Sequence, residues 1–102
     1  MGKWQLSLHP DAEIDALNGY EWYADRNPTA ADSFRMAIKA AGQIIRRDPT
    51  VWPVHKFGTQ KFRLRQFPYK LIYIIEEGQI LVLAVAHDRR RPGYWKKRLG
   101  RK

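Results

Sequence analysis

Cysteine is absent from this 102-residue chain, which excludes a disulfide framework and any thiolate-bound metal. Histidine is scarce: His9, His55 and His87 stand far apart, without the spacing of a zinc site. No metal or other cofactor is expected. Long hydrophobic runs are also missing. The longest, Ile80 to Ala86, is far too short to cross a bilayer, and the opening MGKWQLSLHPD lacks the apolar stretch of a secretory signal. A soluble cytoplasmic protein with no membrane partner is the expectation. The remaining shortage is of acid, and it is local. Residues 55–102 hold 13 Lys and Arg against 3 Asp and Glu, whereas residues 1–54 hold 6 against 7. The net charge of +9 therefore sits in the C-terminal half. So uneven a field predicts a polyanionic partner: nucleic acid, a ribosomal surface or an acidic protein segment.

What is present is enough to fold. With 44% hydrophobic residues and clear periodic segments, the chain is too apolar for a disordered basic tail. Its length suits one domain over residues 1–102. Residues 3–8 alternate Trp4, Leu6 and Leu8 against Gln5 and Ser7, the period of a half-buried strand. Pro10 suits the first turn of a helix, and Asp11 and Glu13 suit its positive end. That helix is expected from about Pro10 to about Arg26, with Ile14, Leu17, Tyr20 or Glu21, and Ala24 as its core stripe. Asn27 and Pro28 form an N-cap and first position for a second helix. Ala31, Phe34, Ile38, Ala41 and Ile45 give it a single buried stripe. Arg46 and Arg47 favour its negative end, and Asp48-Pro49 stops it. Two helices with so little between them form an antiparallel hairpin.

The segment Thr50 to Thr59 reads as a loop pinned by Val51, Trp52 and Val54. From Gln60 to Gln66, Phe62 and Leu64 alternate with Lys61, Arg63 and Arg65, so one face is core and the other a row of cations. Tyr69 to Ile75 and Ile80 to Ala86 are apolar on both faces, as central strands are, and a short loop containing Gly78 joins them. The expected fold is α+β: an antiparallel sheet with an N-terminal helical hairpin packed on one face, in the order β-α-α-β-β-β.

This order, with LHPDAEIDALNGYEWYADRNPTAADSF near the start, then RQFPYKLIYII and ILVLAVAHDRRRPGYWKKR, resembles the RelE/ParE superfamily of bacterial type II toxin-antitoxin toxins. The opening is similar to the family's strand-then-helix start with its asparagine-proline break. The later pieces resemble the FPY...Y strand and the AV-H-x-R-R-x-P ending of ParE-type members. The likeness covers nearly the whole chain. It implies a growth-inhibiting plasmid-stabilisation toxin, held in a heteromeric complex by a cognate antitoxin whose C-terminal segment wraps over it. The complex would repress its own operon through the antitoxin's DNA-binding part. ParE-type members bind DNA gyrase, and RelE-type members enter the ribosomal A site and cut mRNA. The opening helices and HDRRRPGYW look more ParE-like, which implies a gyrase-binding inhibitor. A ribosome-dependent mRNA endonuclease is the alternative.

Metal-free RNA cleavage needs a base for the 2′-hydroxyl, cations for the phosphorane and an acid for the leaving oxygen. By resemblance, Lys61, Arg63, Lys70 and Arg89 occupy positions like the basic catalytic set of RelE nucleases. The aromatic of that set falls on Trp95, leaving neighbouring Tyr94, or His87, to move protons. The catalytic set on this reading is Arg63, Arg89, Tyr94 and His87. On the binding reading, Lys61, Arg63, Arg65, Lys70, Arg89, Arg90, Arg91 and Arg98 grip the target or the antitoxin. Three like charges on one side of a short strand repel, and no acidic run lies nearby in sequence, so a binding role is favoured over a plain solvated face. At least one of Arg89 to Arg91 is expected to pair with Asp88 or a helix C-terminus. Trp95 is expected to cap the core, with Lys97, Arg98, Arg101 and Lys102 as a frayed tail. Trp4, Trp22 and Trp52 read as packing residues. Asp11, Glu13, Asp15, Glu21, Asp25 and Asp32 are assigned to helix faces and caps, which leaves no carboxylate cluster for a two-metal nuclease.

Overall fold

Two short N-caps set the helical layer in place. The computed structural model describes residues 4–100. Lys3 of the expected first strand and Arg101 and Lys102 of the expected tail lie outside the described residues. After strand β1 (Gln5–Leu8), His9 Nδ1 accepts a hydrogen bond from the Asp11 amide at 3.0 Å and opens helix α1 (Pro10–Ala24). Asn27 Oδ1 accepts from the Thr29 and Ala30 amides and opens α2 (Pro28–Arg47). Strands β2 (Gln60–Arg63), β3 (Tyr69–Glu76) and β4 (Gln79–His87) follow, and a 3-10 turn spans Tyr94–Arg98.

The sheet order is β1-β4-β3-β2, with β2, β3 and β4 antiparallel. The α+β order is the expected one, and the sheet departs from a purely antiparallel one at a single edge: β1 runs parallel to β4, pairing Gln5 with Gln79 and Leu8 with Val82. The β3–β4 hairpin turns on Glu77 and Gly78, both at positive φ (50° and 75°), the geometry that matches strand twist. A bulge at Ile72/Tyr73 places Leu83 and Ala84 on the same face.

The central strands are apolar on both faces because both are covered. Under the helices, Phe34, Ala41 and Ile45 of α2 pack with Leu64, Tyr69, Leu71, Tyr73, Val82 and Val85. On the opposite face Trp95 lies over Ile72, Ile74, Leu83, Ala84 and Ala86, with Tyr94 and Leu99 beside it. Trp95 caps the sheet as expected, and the segment holding it is an ordered turn, not a fraying tail.

The stripe of α2 is the expected one, with Ile38 partly buried at its margin. That of α1 is not. Ile14 and Leu17 are each 53% exposed and Glu21 is exposed, and of the expected stripe only Tyr20, packed against the core, and Ala24 are partly buried, while the buried side runs through Ala12, Ala16, Gly19 and Tyr23. The reason is closeness: a β-carbon on Gly19 would stand 2.8 Å from two ring carbons of Phe34, so α1 meets its neighbour along small residues. Val51 and Val54 are also exposed, and the loop is held instead by Trp52 against Phe62 and by polar groups. Gln60 Nε2 donates to the carbonyls of Pro49 and Trp52, and Tyr73 Oη donates to that of Pro49, each at 2.7 Å. Trp22 is half-exposed under the guanidinium of Arg26 and does not pack in the core.

Candidate functional site

Strand alternation puts the cations where the sequence pattern places them. Lys61 and Arg63 on β2 and Arg65 just beyond it are exposed, while Phe62 and Leu64 turn toward the helices. Lys70 of β3 pairs in register with Arg63. Asp88, immediately after β4, closes the group: its carboxylate accepts two hydrogen bonds from Arg63, one at 2.8 Å, and lies 3.7 Å from Lys70 Nζ. That hydrogen bonding holds the Asp88 carboxyl below the usual carboxylate range. The second strand and the bend after the sheet are thereby joined on one surface. The expected pairing of Asp88 with Arg89, Arg90 or Arg91 is replaced by this clamp, because β2 lies closer to Asp88 in space than in sequence.

Lys61, Arg65, Arg89, Arg90 and Arg91 have no carboxylate partner among the described residues. Arg90 stacks on the Tyr94 ring, 3.7 Å from its centroid. They form a basic rim from β2 round to the segment after β4.

Arg98 is removed from that rim. Its side chain is 13% exposed and donates to both Asp15 oxygens, at 2.7 and 3.2 Å, and to the Leu83 carbonyl at 2.8 Å. Asp15 also accepts from the Val85 amide (3.0 Å) and Tyr94 Oη (3.1 Å). Thus Arg98 does not reach a partner, and Asp15 is not a solvated helix-face carboxylate. The available signal was positional: Asp15 stands three residues after Ala12 and four before Gly19, on the small-residue stripe.

The proposed proton-transfer groups are not assembled either. His87 Nδ1 accepts from the Arg89 amide at 2.9 Å, the backbone-bonded role open to any strand-end histidine. Tyr94 is turned inward onto Asp15. Its hydroxyl is pushed up to about 12 by burial and then by the Asp15 charge, and Tyr73 is pushed up to about 12 by burial and then by Asp48. Both groups stabilise the fold while protonated. That stability is complete below the unfolded tyrosine pKa of about 10 and is lost as pH rises through about 12. Burial also raises Tyr23 and Tyr69, so tyrosinate absorbance should show late ionisation with Tyr94 and Tyr73 in the window where the fold is lost, and Tyr94→Phe should take one ring out of that window. Ionisation of every tyrosine by about pH 10 with the fold intact would contradict this.

Residues 6–92 match the family described as the ParE toxin of type II toxin-antitoxin systems, parDE. No curated protein matches the chain. Among solved structures, a chain of the chromosomal ParDE toxin-antitoxin system from P. aeruginosa shares the fold, with a TM-score of 0.75 at 15% identity over 85% of this chain and 98% of that one.

Proposed function

Because the chain belongs to the ParE toxin family of type II toxin-antitoxin systems, we propose that it arrests growth by binding DNA gyrase and is neutralised by a cognate antitoxin with an acidic segment. The observation that carries this reading is the basic rim itself: five cations from β2, the residues just beyond it and the post-β4 bend stand without carboxylate partners among the described residues, beside a tyrosine turned inward and a histidine bonded to the backbone through Nδ1. Such a surface suits gripping an anionic partner, and the tyrosine that RNA cleavage would call on is turned inward onto Asp15.

A gyrase supercoiling assay tests the proposal. The wild-type chain should inhibit supercoiling, and Arg89→Glu with Arg91→Glu should weaken inhibition by about tenfold or more, a difference of about 1.4 kcal/mol. Both side chains are exposed and unpaired, so the variant should fold as the wild type does. Undiminished supercoiling at high toxin excess would remove the reading. In primer extension on translated mRNA the wild type should leave no cuts, and cuts abolished by Arg63→Ala with Arg89→Ala would favour the endonuclease instead.

A further inference from the structure

Phe57 is out of place twice over. Its backbone is left-handed, with φ 62° and ψ 21°, a conformation that a bulky L-residue rarely adopts. Its side chain is nevertheless 53% exposed, so burial of the ring does not offset the strain. Gly58 follows at φ 74°, and the two residues together turn the ring outward from the 3-10 turn Lys56–Gly58. Strain held at an exposed aromatic points to use by a ligand.

The surroundings indicate which ligand. Phe57 lies on a cleft of about 370 Å³ shared with Lys56, Lys61, Trp95 and Lys96, a size within the range of small-ligand pockets. Its ring meets the Trp95 ring edge-to-face at 6.2 Å, and Lys96 Nζ stands 5.3 Å from its centroid. No acidic side chain among the described residues lines the cleft. The three lysines come from three separate segments, and none has a carboxylate partner among the described residues.

We propose that this cleft binds single-stranded nucleic acid, with a base stacked on the open face of Phe57 and the flanking phosphates held by Lys56, Lys61 and Lys96. Stacking on an aromatic beside unpaired cations is how strands are held without sequence preference. An acidic peptide suits the cleft less well, since three main-chain donors of the neighbouring loop are spent internally. The His55 amide donates to the Thr59 carbonyl, Gly58 to His55, and Thr59 to Lys56. A peptide would find charge there but few backbone partners, whereas a nucleotide needs only the ring face and the cations. The cleft shares Lys61 with the basic rim and adjoins Arg91 through Pro92 and Gly93, but the stacking ring and the other two cations, Lys56 and Lys96, lie outside that rim.

Anisotropy of a fluorescein-labelled oligothymidylate of about twelve nucleotides, long enough for sites of this kind, tests the assignment on the full chain. Binding should weaken with salt, with a log–log slope of about −2 for three phosphate contacts. Phe57→Asn removes the ring but tolerates the left-handed backbone. It should weaken binding about 5- to 150-fold, the equivalent of about 1–3 kcal/mol per stacked base, while Tm stays level or rises. Phe57→Trp should restore binding to within a few-fold, and Lys39→Ala, on α2, should change nothing. Three results would each overturn the proposal: no binding at low salt, equal binding by Phe57→Asn, or Phe57-dependent binding of oligoglutamate in place of the oligonucleotide.

Discussion

Replacing Asp15 with alanine should cost about 3–5 kcal/mol, a large part of the 5–15 kcal/mol by which domains of this kind are stable. The size of the loss follows from what the carboxylate serves. Its side chain is 8% exposed and accepts four hydrogen bonds, from Val85, Tyr94 and twice from Arg98. β1 ends opposite Val82, and just beyond it the β4 backbone is met by these side chains and not by a strand. Without the carboxylate, an amide and a hydroxyl lose their acceptor, and the buried guanidinium keeps only the Leu83 carbonyl and the longer contact to Asp11 at 3.8 Å, so its poorly compensated charge dominates the cost. The 3-10 turn bearing Trp95 would then be tied to α1 only by the long Arg98–Asp11 ion pair, loosening its cover over Ile72, Ile74 and Leu83. The double variant Asp15→Leu with Arg98→Met should recover most of the loss, because a buried ion pair is costly to break but often replaceable by apolar groups. Urea midpoints at unchanged m-value would read both effects. A loss below about 1 kcal/mol, the worth of a surface pair, would show that the network does not hold the C-terminal segment.

That network also marks the limit of what the sequence makes legible. Wherever one period governs one surface, the pattern is readable: α2 carries a single stripe of large apolar residues, and β2 alternates cations with Phe62 and Leu64. In α1 two stripes compete. Hydrophobicity favours Ile14 and Leu17, but the helix sits so close to Phe34 that only Ala12, Ala16 and Gly19 fit, and volume decides over apolarity. The polar tertiary contacts are hidden for another reason. Asp15 and Arg98 lie 83 residues apart, and Arg63 and Asp88 25 apart, so nothing local signals that each cation already has a partner. The basic rim is therefore partly legible. Residue type and alternation give Lys61, Arg65 and Arg89 to Arg91, and only three-dimensional pairing removes Arg98 from it and clamps Arg63. Phe57 escapes sequence reading altogether, since its outward turn depends on a backbone conformation that a phenylalanine does not advertise.

The closeness of α1 to Phe34 predicts a substitution whose sign depends on its neighbour. Phe34 is fully buried, with its ring 4.7 Å from Tyr69, 5.3 Å from Tyr23 and 5.4 Å from Phe67 between centroids. Phe34→Ala should cost about 3–5 kcal/mol, from lost transfer energy and from a cavity that this cage of rings cannot easily close. Gly19→Ala alone should also destabilise. Alanine favours a helix interior over glycine by about 1 kcal/mol, but its methyl would stand 2.8 Å from Phe34 Cε2 and Cζ and 3.1 Å from Tyr69 Oη. Overpacking of that kind costs about 1–3 kcal/mol, and the rings of Tyr23, Phe67 and Tyr69 crowd the directions in which Phe34 could move away from α1. In a Phe34→Leu background the two clashing ring carbons no longer exist. There Gly19→Ala should become neutral or stabilising, with a coupling of about 0.5–3 kcal/mol across the double-mutant cycle. Additive effects in denaturant titrations of the four proteins would show that the methyl is accommodated elsewhere, and that volume is not what turns Ile14 and Leu17 out to solvent.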